Sequence, residues 1–431
     1  MTKAETGPKD TGTAADGLPS DPRLAALRGS WAFYAIMLIA VGLGPLAMSS
    51  FMPALPAVQD AFGVTADRAQ LAISLSMLAI GVFTLIYGPL SDRFGRRPIL
   101  VFAIGLGLFG SIVGALAGSI EVVIFGRILQ AAGTAAGVVL ARAIVKDVYG
   151  PERMTGVIGT LTAALMLAPM AGPFLGGFAV ARFDWWGPFA VIAAITALVW
   201  ALVLLRLPET HHFADRGTST AQMARDFGGL FVNRAYMGYA LHGVVVQGAF
   251  FAFLGGAPYL VSDVYGQPPS AYGAYFITLP LGFMAGNLVA GIWGSRIGND
   301  RLIALGTLVS IAATAAALWV AQSDLANPYW LFAPVGLAMI GNGLALPGSQ
   351  SGSVAAAPLI AGSASGLFSA MQALFAAAVL QWVGAWQGAD AGSALPTLIP
   401  MTGLMVAAPL VYAALVRPWG RPARAVTAPA E

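Results

Sequence analysis

The sequence predicts an all-α integral membrane protein with about twelve transmembrane helices. Of its 431 residues, 58% are hydrophobic and only 10% are charged, and the mean hydropathy is +0.77. Long apolar runs recur from Trp31 to Val416 with short polar breaks between them. Crossing a bilayer takes roughly 20 apolar residues in a helix, because backbone groups in lipid must be hydrogen-bonded within their own segment. The alternation of apolar and polar residues that is typical of barrel strands is absent from these runs.

Each predicted span is an apolar run that ends at polar, glycine or proline residues. The spans are 31–52, 70–90, 98–119, 122–145, 155–181, 186–206, 234–261, 271–294, 301–321, 329–350, 357–386 and 395–416. Residues 1–30 and 417–431 are predicted to be cytoplasmic tails, the first of them disordered and without the features of a signal peptide. The longest polar break, 207–233, is the predicted linker between two six-helix halves, 31–206 and 234–416.

The positions of Lys and Arg predict the orientation in the cytoplasmic membrane. If the amino terminus is cytoplasmic, only Arg68 and Arg182 fall outside, and Arg127 lies within a span. The rest lie on the cytoplasmic side, including Arg93, Arg96, Arg97, Lys146, Arg153, Arg206, Arg225, Arg234, Arg296, Arg301 and Arg417. This distribution follows the positive-inside rule and predicts that both termini are cytoplasmic.

Composition and missing motifs exclude several classes of protein. The chain has no cysteine, so disulfides, thiolate metal sites and thiol nucleophiles are excluded. The net charge is +3, but the basic residues lie at span ends rather than in one patch, so nucleic acid is not a predicted partner. A His-Glu-x-x-His pair, a glycine-flanked serine nucleophile and a phosphate-binding loop are all missing, which argues against an enzyme or a nucleotide-driven pump. No cofactor is predicted.

A short internal repeat links the two halves. The residues after the second span are Gly88, Pro89, Leu90, Ser91, Asp92, Arg93, Phe94 and Gly95, and those after the eighth are Gly291, Ile292, Trp293, Gly294, Ser295, Arg296, Ile297 and Gly298. Gly, Arg and Gly recur in register. The repeat predicts two halves that cross the membrane in the same orientation and are related by an axis along the membrane normal. In transporters of this architecture, the substrate site lies between the halves near the midplane of the bilayer.

Three motifs resemble those of one membrane protein family. The loop Gly88–Pro98, which contains Asp92 and Arg93, resembles the loop signature of the major facilitator superfamily. The fourth-helix motif of this superfamily is similar to a set of residues that comprises Arg127, Gln130 and Gly133. The fifth-helix motif of its drug and proton antiporters is similar to a second set, which comprises Gly172, Pro173, Gly176 and Gly177.

The sequence around these motifs is similar to the bicyclomycin-resistance-like (Bcr/CflA) multidrug branch. The similar stretches are 142–147, 207–210 and 361–365. The resemblance implies a major facilitator fold and a secondary transporter that exports small hydrophobic or amphipathic compounds by alternating access against protons. Because a cavity between two halves of one chain needs no second copy, a monomer in the bilayer is predicted. One residue departs from the branch, because Ser49 stands where an aspartate usually ends the first helix. No Asp or Glu is placed deep within any predicted span, so the sequence itself argues against proton coupling and cation selectivity.

The loop signature predicts a cytoplasmic gate. Its residues are Gly88, Asp92, Arg93, Gly95, Arg96, Arg97 and Arg142. Asp92 is expected to meet the positive end of a neighbouring helix dipole and an arginine such as Arg142, and so to close the gate when the halves rock. The alternative is that the basic residues only anchor the loop.

Ionisable side chains within spans are the main candidates for the central site. Arg127 is costly within a membrane, so it is expected to face the cavity with Gln130, one helical turn away. The alternative is a snorkelling side chain paired with Glu121. His242 could carry a proton in place of the missing carboxylate, since imidazole titrates near neutral pH. It could equally be a neutral side chain hydrogen-bonded between helices.

Other residues are predicted to line the cavity because polar and aromatic side chains can orient an amphipathic ligand. The candidates are Ser49, Ser50, Phe51, Gln247, Asn287, Asn342 and Gln372. The alternative for Phe51 is an aromatic side chain that packs against other helices or faces lipid. Gly172, Pro173, Gly176 and Gly177 could equally form a purely structural kink.

A rival function is import of a metabolite or of copper. Methionine thioethers with an imidazole suit Cu(I), and the residues that could supply them are Met48, Met52, Met237 and His242. Methionine is more often a flexible filler of cores, so the leading prediction contains no metal site.

Overall fold

A computed structural model describes residue 27 and residues 30–210, 220–323, 327–389 and 392–416. The predicted tails lie outside the described residues apart from residues 27 and 30, as does the middle of the predicted linker. The described part consists of helices joined by short turns, with no β-strand among its residues.

The first half contains the helices that correspond to the first six predicted spans. They are α1 (Trp31–Phe51), α2 (Leu55–Phe62), α3 (Ala66–Phe94), α4 (Arg96–Ala115), α5 (Ile120–Phe183) and α6 (Gly187–Arg206). A 3₁₀ turn, Met52–Ala54, continues α1 into α2. Pro53 can occupy this turn because a proline at the start of a helical segment sacrifices no hydrogen bond.

The second half repeats the plan. Its helices, with the linker helix α7 before them, are α7 (Thr220–Val232), α8 (Arg234–Tyr259), α9 (Tyr272–Phe276), α10 (Thr278–Ile297), α11 (Asn299–Ala321), α12 (Tyr329–Ala355), α13 (Ala361–Ala389) and α14 (Leu395–Leu415). The residues Leu260–Val264 extend α8 as a π-helical turn. The predicted spans of this half are therefore confirmed, with ends that differ by a few residues.

Two predicted non-helical segments between spans contain helix in the structure. The fourth and fifth spans were expected to be separated by a loop over 146–154, but α5 is assigned as continuous helix over 64 residues. The predicted linker also contains α7, in which apolar residues such as Leu230 pack against α13 and α8.

The length and hydropathy of the helices support the predicted number of crossings. Eleven stretches in the described ranges are long and apolar enough to span a membrane. One of them, Leu167–Arg206, contains the Asp184–Trp186 turn and so comprises two helices. The structure is thus consistent with about twelve spans in two six-helix halves.

The internal repeat predicted from sequence is visible in the backbone. Gly95, between α3 and α4, has φ 98° and ψ 153°, and Gly298, between α10 and α11, has φ 84° and ψ 153°. Residues other than glycine rarely adopt such positive φ values. The repeated glycines therefore form the same tight connection in both halves.

The ends of the helix bundle are named here by the glycines in their connections. The Gly63 end carries the turns 63–65, 116–119, 184–186, 265–268 and 392–394, and the Gly95 end carries Gly95, 207–210, Asn233, Gly298 and 356–360. The halves are joined at the Gly63 end, where Ser74 of α3 donates to Gln381 Oε1 of α13 over 3.2 Å. Gln381 Nε2 in turn donates to the Asp67 backbone carbonyl over 3.1 Å.

A shared apolar core extends this contact between the halves. Its largest cluster of buried side chains includes Phe51 and Ile73 from the first half and Phe253 and Leu380 from the second. A methyl group added to Gly384 of α13 would lie 2.8 Å from Gln70 Cβ of α3, so glycine permits the close approach. In this conformation, the two halves are therefore tightly packed at the Gly63 end.

Candidate functional site

A cavity of about 440 Å³ lies between the two halves. Helices α1, α3 and α5 line it on one side, and α8, α9 and α13 on the other. A second cavity of about 190 Å³ shares Gln247, Phe250 and Phe276 with it and reaches Asn342. Binding sites for small molecules commonly have volumes of roughly 300–1,000 Å³. The space is therefore sufficient for a drug-sized compound.

The cavity wall is mainly apolar and aromatic, with a few uncharged polar groups. Ser49, Thr134 and Ser369 each donate their hydroxyl hydrogen to a carbonyl of their own helix. Thr84 and Gln247 also line the wall, and neither side chain has a hydrogen-bond partner among the described residues. A ligand could thus pair with an amide and a hydroxyl that the protein leaves available.

Charge is absent from the described part of the cavity wall. None of the described lining residues is ionisable. The stretch 154–166 of α5, whose side chains are only partly described, contains no ionisable residue in the sequence. The prediction that no carboxylate lies deep in a span agrees with this uncharged lining.

Arg127 is buried inside the first half. Only 2% of the residue is exposed, and its guanidinium donates to the Ala47 carbonyl over 3.2 Å and to Gln130 Oε1. It also contacts Met48 Sδ at 3.4 Å and lies over the Phe51 ring, 4.5 Å from its centroid. A desolvated cation–π contact of this kind contributes roughly 2 kcal/mol or more. The side chain is therefore held by α1 and α5 together.

This placement corrects both interpretations of Arg127. Arg127 and Gln130 are not among the lining residues of the cavity, because Met48 lies between the guanidinium and the open space. The snorkelling alternative is also wrong, since Glu121 pairs with Arg68 at 3.2 Å at the Gly63 end. Gln130 instead donates to Ser111 Oγ of α4 over 2.8 Å and so connects α5 to α4.

The fifth-helix motif packs against the end of α1. A Cβ atom on Gly172 would overlap the Ser49 hydroxyl, and one on Gly176 would overlap the Ser50 carbonyl oxygen. Gly177 faces the other half, where a Cβ atom would lie 2.6 Å from the Pro269 carbonyl oxygen. The motif is therefore a surface for close packing of α5 both on α1 and on the second half.

His242 is buried within the second half. Its Nδ1 lies 2.8 Å from Ser349 Oγ and its Nε2 lies 3.0 Å from Thr307 Oγ1. The Tyr412 ring packs edge-on against the imidazole at a centroid distance of 5.5 Å. His242 is fully buried and does not line the described cavities, so the expectation that Arg127, Gln130 and His242 share one cavity is wrong for this conformation.

The remaining candidates are divided between the cavity and the helix contacts. Ser49 and Gln247 line the larger cavity, and Asn342 lines the smaller one while accepting from Ser310 Oγ over 3.2 Å. The others lie outside the described lining. Ser50 donates to the Ala47 carbonyl and Asn287 to the Phe283 carbonyl, each within its own helix. Phe51 contacts Arg127 of α5, and Gln372 donates to the Gly243 carbonyl of α8.

The predicted gate residues form a network within the first half. Arg96 pairs with Asp92, four residues before it, and its Nε donates to Asp147 Oδ2 of α5 over 3.2 Å. Arg142 was expected to meet Asp92, but it is exposed in this conformation. The reason is that Arg96 begins α4 and points back along the connection to the end of α3. Gly88 has no atom within 4 Å of the position where its Cβ would lie.

The other basic residues of the loop anchor it. Arg97 donates to the Leu204 carbonyl of α6 over 2.9 Å, and the Arg93 guanidinium lies 5.2 Å from the centroid of the Phe94 ring. Glu209, which sequence reasoning did not single out, accepts from the backbone nitrogens of Arg96 and Arg97 over 2.9 and 3.2 Å. It therefore caps α4 from beyond the end of α6, a contact that no local sequence pattern indicates.

The copper alternative is not supported by the positions of its residues. Met48 and Met52 belong to the first half, whereas Met237 packs on the linker helix and His242 is bonded to two hydroxyls in the second half. Among the described residues, no group of His, Cys, Asp or Glu could hold a metal ion. The four side chains are thus not assembled into one site.

Sequence reasoning also missed several lining residues. The missed residues are Met77, Thr84, Thr134, Leu254, Phe276 and Ser369. Their residue types are common in packed helices, so only the relative position of the two halves identifies them. Phe250 and Phe251 also line the larger cavity and supply most of its aromatic surface together with Phe276.

Comparisons with known proteins agree with this architecture. The family profile described as Major Facilitator Superfamily matches residues 37–380. The chain is 25% identical over 378 residues to the bicyclomycin resistance protein homolog of Haemophilus influenzae, covering 86% of this chain and 92% of the relative. It is 30% identical over 341 residues to a chloramphenicol resistance protein of Pseudomonas aeruginosa, covering 76% and 77% of the two chains.

A solved structure shows the same fold. It is a bacterial homolog of the human lysosomal transporter Spinster, in an inward-facing and unoccupied conformation. The TM-score is 0.71 at 15% identity, with 92% of this chain and 96% of that chain covered. At this identity, the likeness concerns the fold alone.

Proposed function

Because the chain belongs to the Major Facilitator Superfamily, we propose that this membrane transporter exports small hydrophobic or amphipathic compounds by alternating access. The observation that carries the proposal is the 440 Å³ cavity, whose apolar and aromatic lining comes from both halves. Rocking of the halves would expose such a site to each side of the membrane in turn. Similarity to relatives named for resistance to bicyclomycin and chloramphenicol supports multidrug efflux as the activity.

The proposed location is the cytoplasmic membrane, with both termini inside. Arg93, Arg96, Arg97 and Arg296 lie at or next to the Gly95 end, which is therefore the proposed cytoplasmic end. The cavity is lined by one chain, so a monomer suffices. The proposed domain division is the two six-helix halves with 207–233 between them.

Proton entry is the proposed driving force, as in the branch that the chain resembles. The cavity wall offers no described carboxylate or histidine to carry the proton. Coupling therefore requires a group behind the wall or at one end of the helices. Within a span, His242 lies behind the wall on the same helix as the lining residue Gln247, but both of its ring nitrogens already contact hydroxyls.

Transport by the purified protein in liposomes tests the proposal. A pH dye inside the liposomes is followed while chloramphenicol is added, with and without an imposed proton gradient. Drug movement that requires the gradient, together with drug-dependent proton flux, is the expected result. Absence of drug movement under both conditions, with protein correctly inserted, would contradict the proposed export. Drug movement without proton flux would retain export and remove proton coupling.

A further inference from the structure

We propose that the cavity accepts uncharged compounds and rejects organic cations, because the Arg127 cation lies one side chain behind its wall. This inference rests on the proposed export function and specifies the charge of the substrates. The structural basis is the contact between Arg127 Nη2 and Met48 Sδ at 3.4 Å, since Met48 is itself a lining residue.

The charge on Arg127 is fixed in place by its surroundings. The Ala47 carbonyl, Gln130 and the Phe51 ring hold the guanidinium, and 2% of the residue is exposed. Its Nε atom is buried without a hydrogen-bond partner. The group therefore cannot turn away from the cavity without losing these contacts, and little water is available to screen it.

No ion pair found within the described ranges includes Arg127. The ion pairs among the described residues join Arg68 with Glu121, and Arg96 with Asp92 and Asp147. Ser49 contributes a hydroxyl to the wall next to Met48, and it already donates to the Pro45 carbonyl. A cation that entered the cavity would thus meet an uncompensated positive charge through apolar material, where electrostatic interactions are strong.

Uncharged polar ligands have recognition groups in the same cavity. Gln247 and Thr84 line it without hydrogen-bond partners among the described residues, and they lie on opposite halves. An amide can both donate to and accept from a ligand amide or hydroxyl. Phe250 and Phe251 supply aromatic surface beside Gln247. A neutral compound with an aromatic body and amide or hydroxyl groups matches this arrangement.

A pair of variants of nearly equal size tests the charge argument. Ser49→Asp adds a carboxylate to the wall, and Ser49→Asn adds a similar volume without charge. The present hydroxyl already lies against Gly172 of α5, so we expect either longer side chain to turn towards the cavity. Because both variants share this steric change, the difference between them reports charge. Transport of uncharged chloramphenicol and of cationic tetraphenylphosphonium is compared in liposomes, and folding is checked by thermal unfolding in detergent.

The expected result is that the unmodified protein moves chloramphenicol but moves tetraphenylphosphonium on the order of tenfold more slowly or not at all. Ser49→Asp is expected to raise tetraphenylphosphonium transport on the order of tenfold relative to Ser49→Asn. Equal transport of both compounds by the unmodified protein would overturn the inference while leaving export intact. A folded Ser49→Asp protein that moves only chloramphenicol would also overturn it. If neither compound moves in any variant, the proposed function itself fails.

A second pair of variants tests recognition of the neutral compound. Gln247→Leu removes the amide from the cavity, whereas the control Gln372→Leu removes an amide on α13 that bonds to the Gly243 carbonyl outside the lining. The KM for chloramphenicol is expected to rise on the order of tenfold in Gln247→Leu, with a much smaller change in the control. An equal KM in both variants would remove Gln247 from the recognition site.

Discussion

The surroundings of His242 favour one of the two hypotheses about this residue. Sequence reasoning allowed either a proton carrier or a hydrogen-bonded histidine between helices. Both ring nitrogens contact hydroxyls, of Thr307 and Ser349, and the residue is fully buried. Since Thr307 Oγ1 donates to the Ile303 carbonyl over 2.7 Å, its oxygen is left to accept from Nε2. The Ser349 hydroxyl can donate either to Nδ1 over 2.8 Å or to the Ala345 carbonyl over 3.1 Å, and in either case His242 connects α8, α11 and α12.

Replacement of His242 tests that role. We expect His242→Gln to lower the free energy of unfolding by roughly 1–3 kcal/mol, because at least one of the buried hydroxyl contacts is lost. The pH profile of transport is expected to remain unchanged, as measured by drug flux in liposomes at several pH values. A profile that loses its pH dependence in this variant would identify His242 as the proton carrier instead.

At the scale of elements, the fifth-helix motif holds α5 against α1. Gly176 meets the Ser50 carbonyl oxygen, so we expect Gly176→Ala to push the helices apart and lower the free energy of unfolding by roughly 1–3 kcal/mol. Gly403 in α14 is the matched control, because it is exposed and has nothing within 4 Å of the position of its Cβ. Gly403→Ala should be neutral or slightly stabilising. Thermal unfolding of both purified variants measures the difference, and equal melting temperatures would contradict the close-packing role.

The start of α4 provides a second element-scale prediction. Glu209 accepts from the backbone nitrogens of Arg96 and Arg97, so Glu209→Ala leaves two donors of the helix terminus without this partner. We expect a loss of roughly 0.5–1 kcal/mol in the free energy of unfolding, and a smaller loss in Glu209→Gln, which keeps one acceptor. Thermal unfolding of the two variants should rank them in this order. Equal losses in the two variants would mean that the charge, rather than the cap, matters at this position.

The whole molecule is closed at the Gly63 end by uncharged polar residues. Gln70 is fully buried there, and neither its amide nitrogen nor its amide oxygen has a hydrogen-bond partner. It lies against Gly384 of the other half, so it belongs to the contact that must separate when the halves rock. A buried amide without partners costs roughly 1–3 kcal/mol, which raises the free energy of the closed state relative to an open one.

Removing this cost should favour the closed state. We expect Gln70→Met to reduce opening at the Gly63 end by roughly fivefold or more. The chain has no cysteine, so a single Leu254→Cys substitution in the cavity can report opening without background. Labelling by a membrane-impermeant maleimide added to intact cells should slow in Gln70→Met but not in the control Gln372→Met. Equal labelling rates in the two would contradict the role of Gln70.

The sequence by itself determined the fold, the number of spans, the internal repeat and the family motifs. Apolar runs specify helices in lipid whatever their neighbours are, and the glycines at 95 and 298 specify the backbone of the repeated connection. Tertiary structure alone decided which side chains reach the cavity. Arg127 and His242 are polar residues within spans, as predicted, yet each is enclosed by helices of its own half. A helical sequence fixes the spacing of side chains but not the direction in which each face points, because that direction depends on how twelve helices pack together.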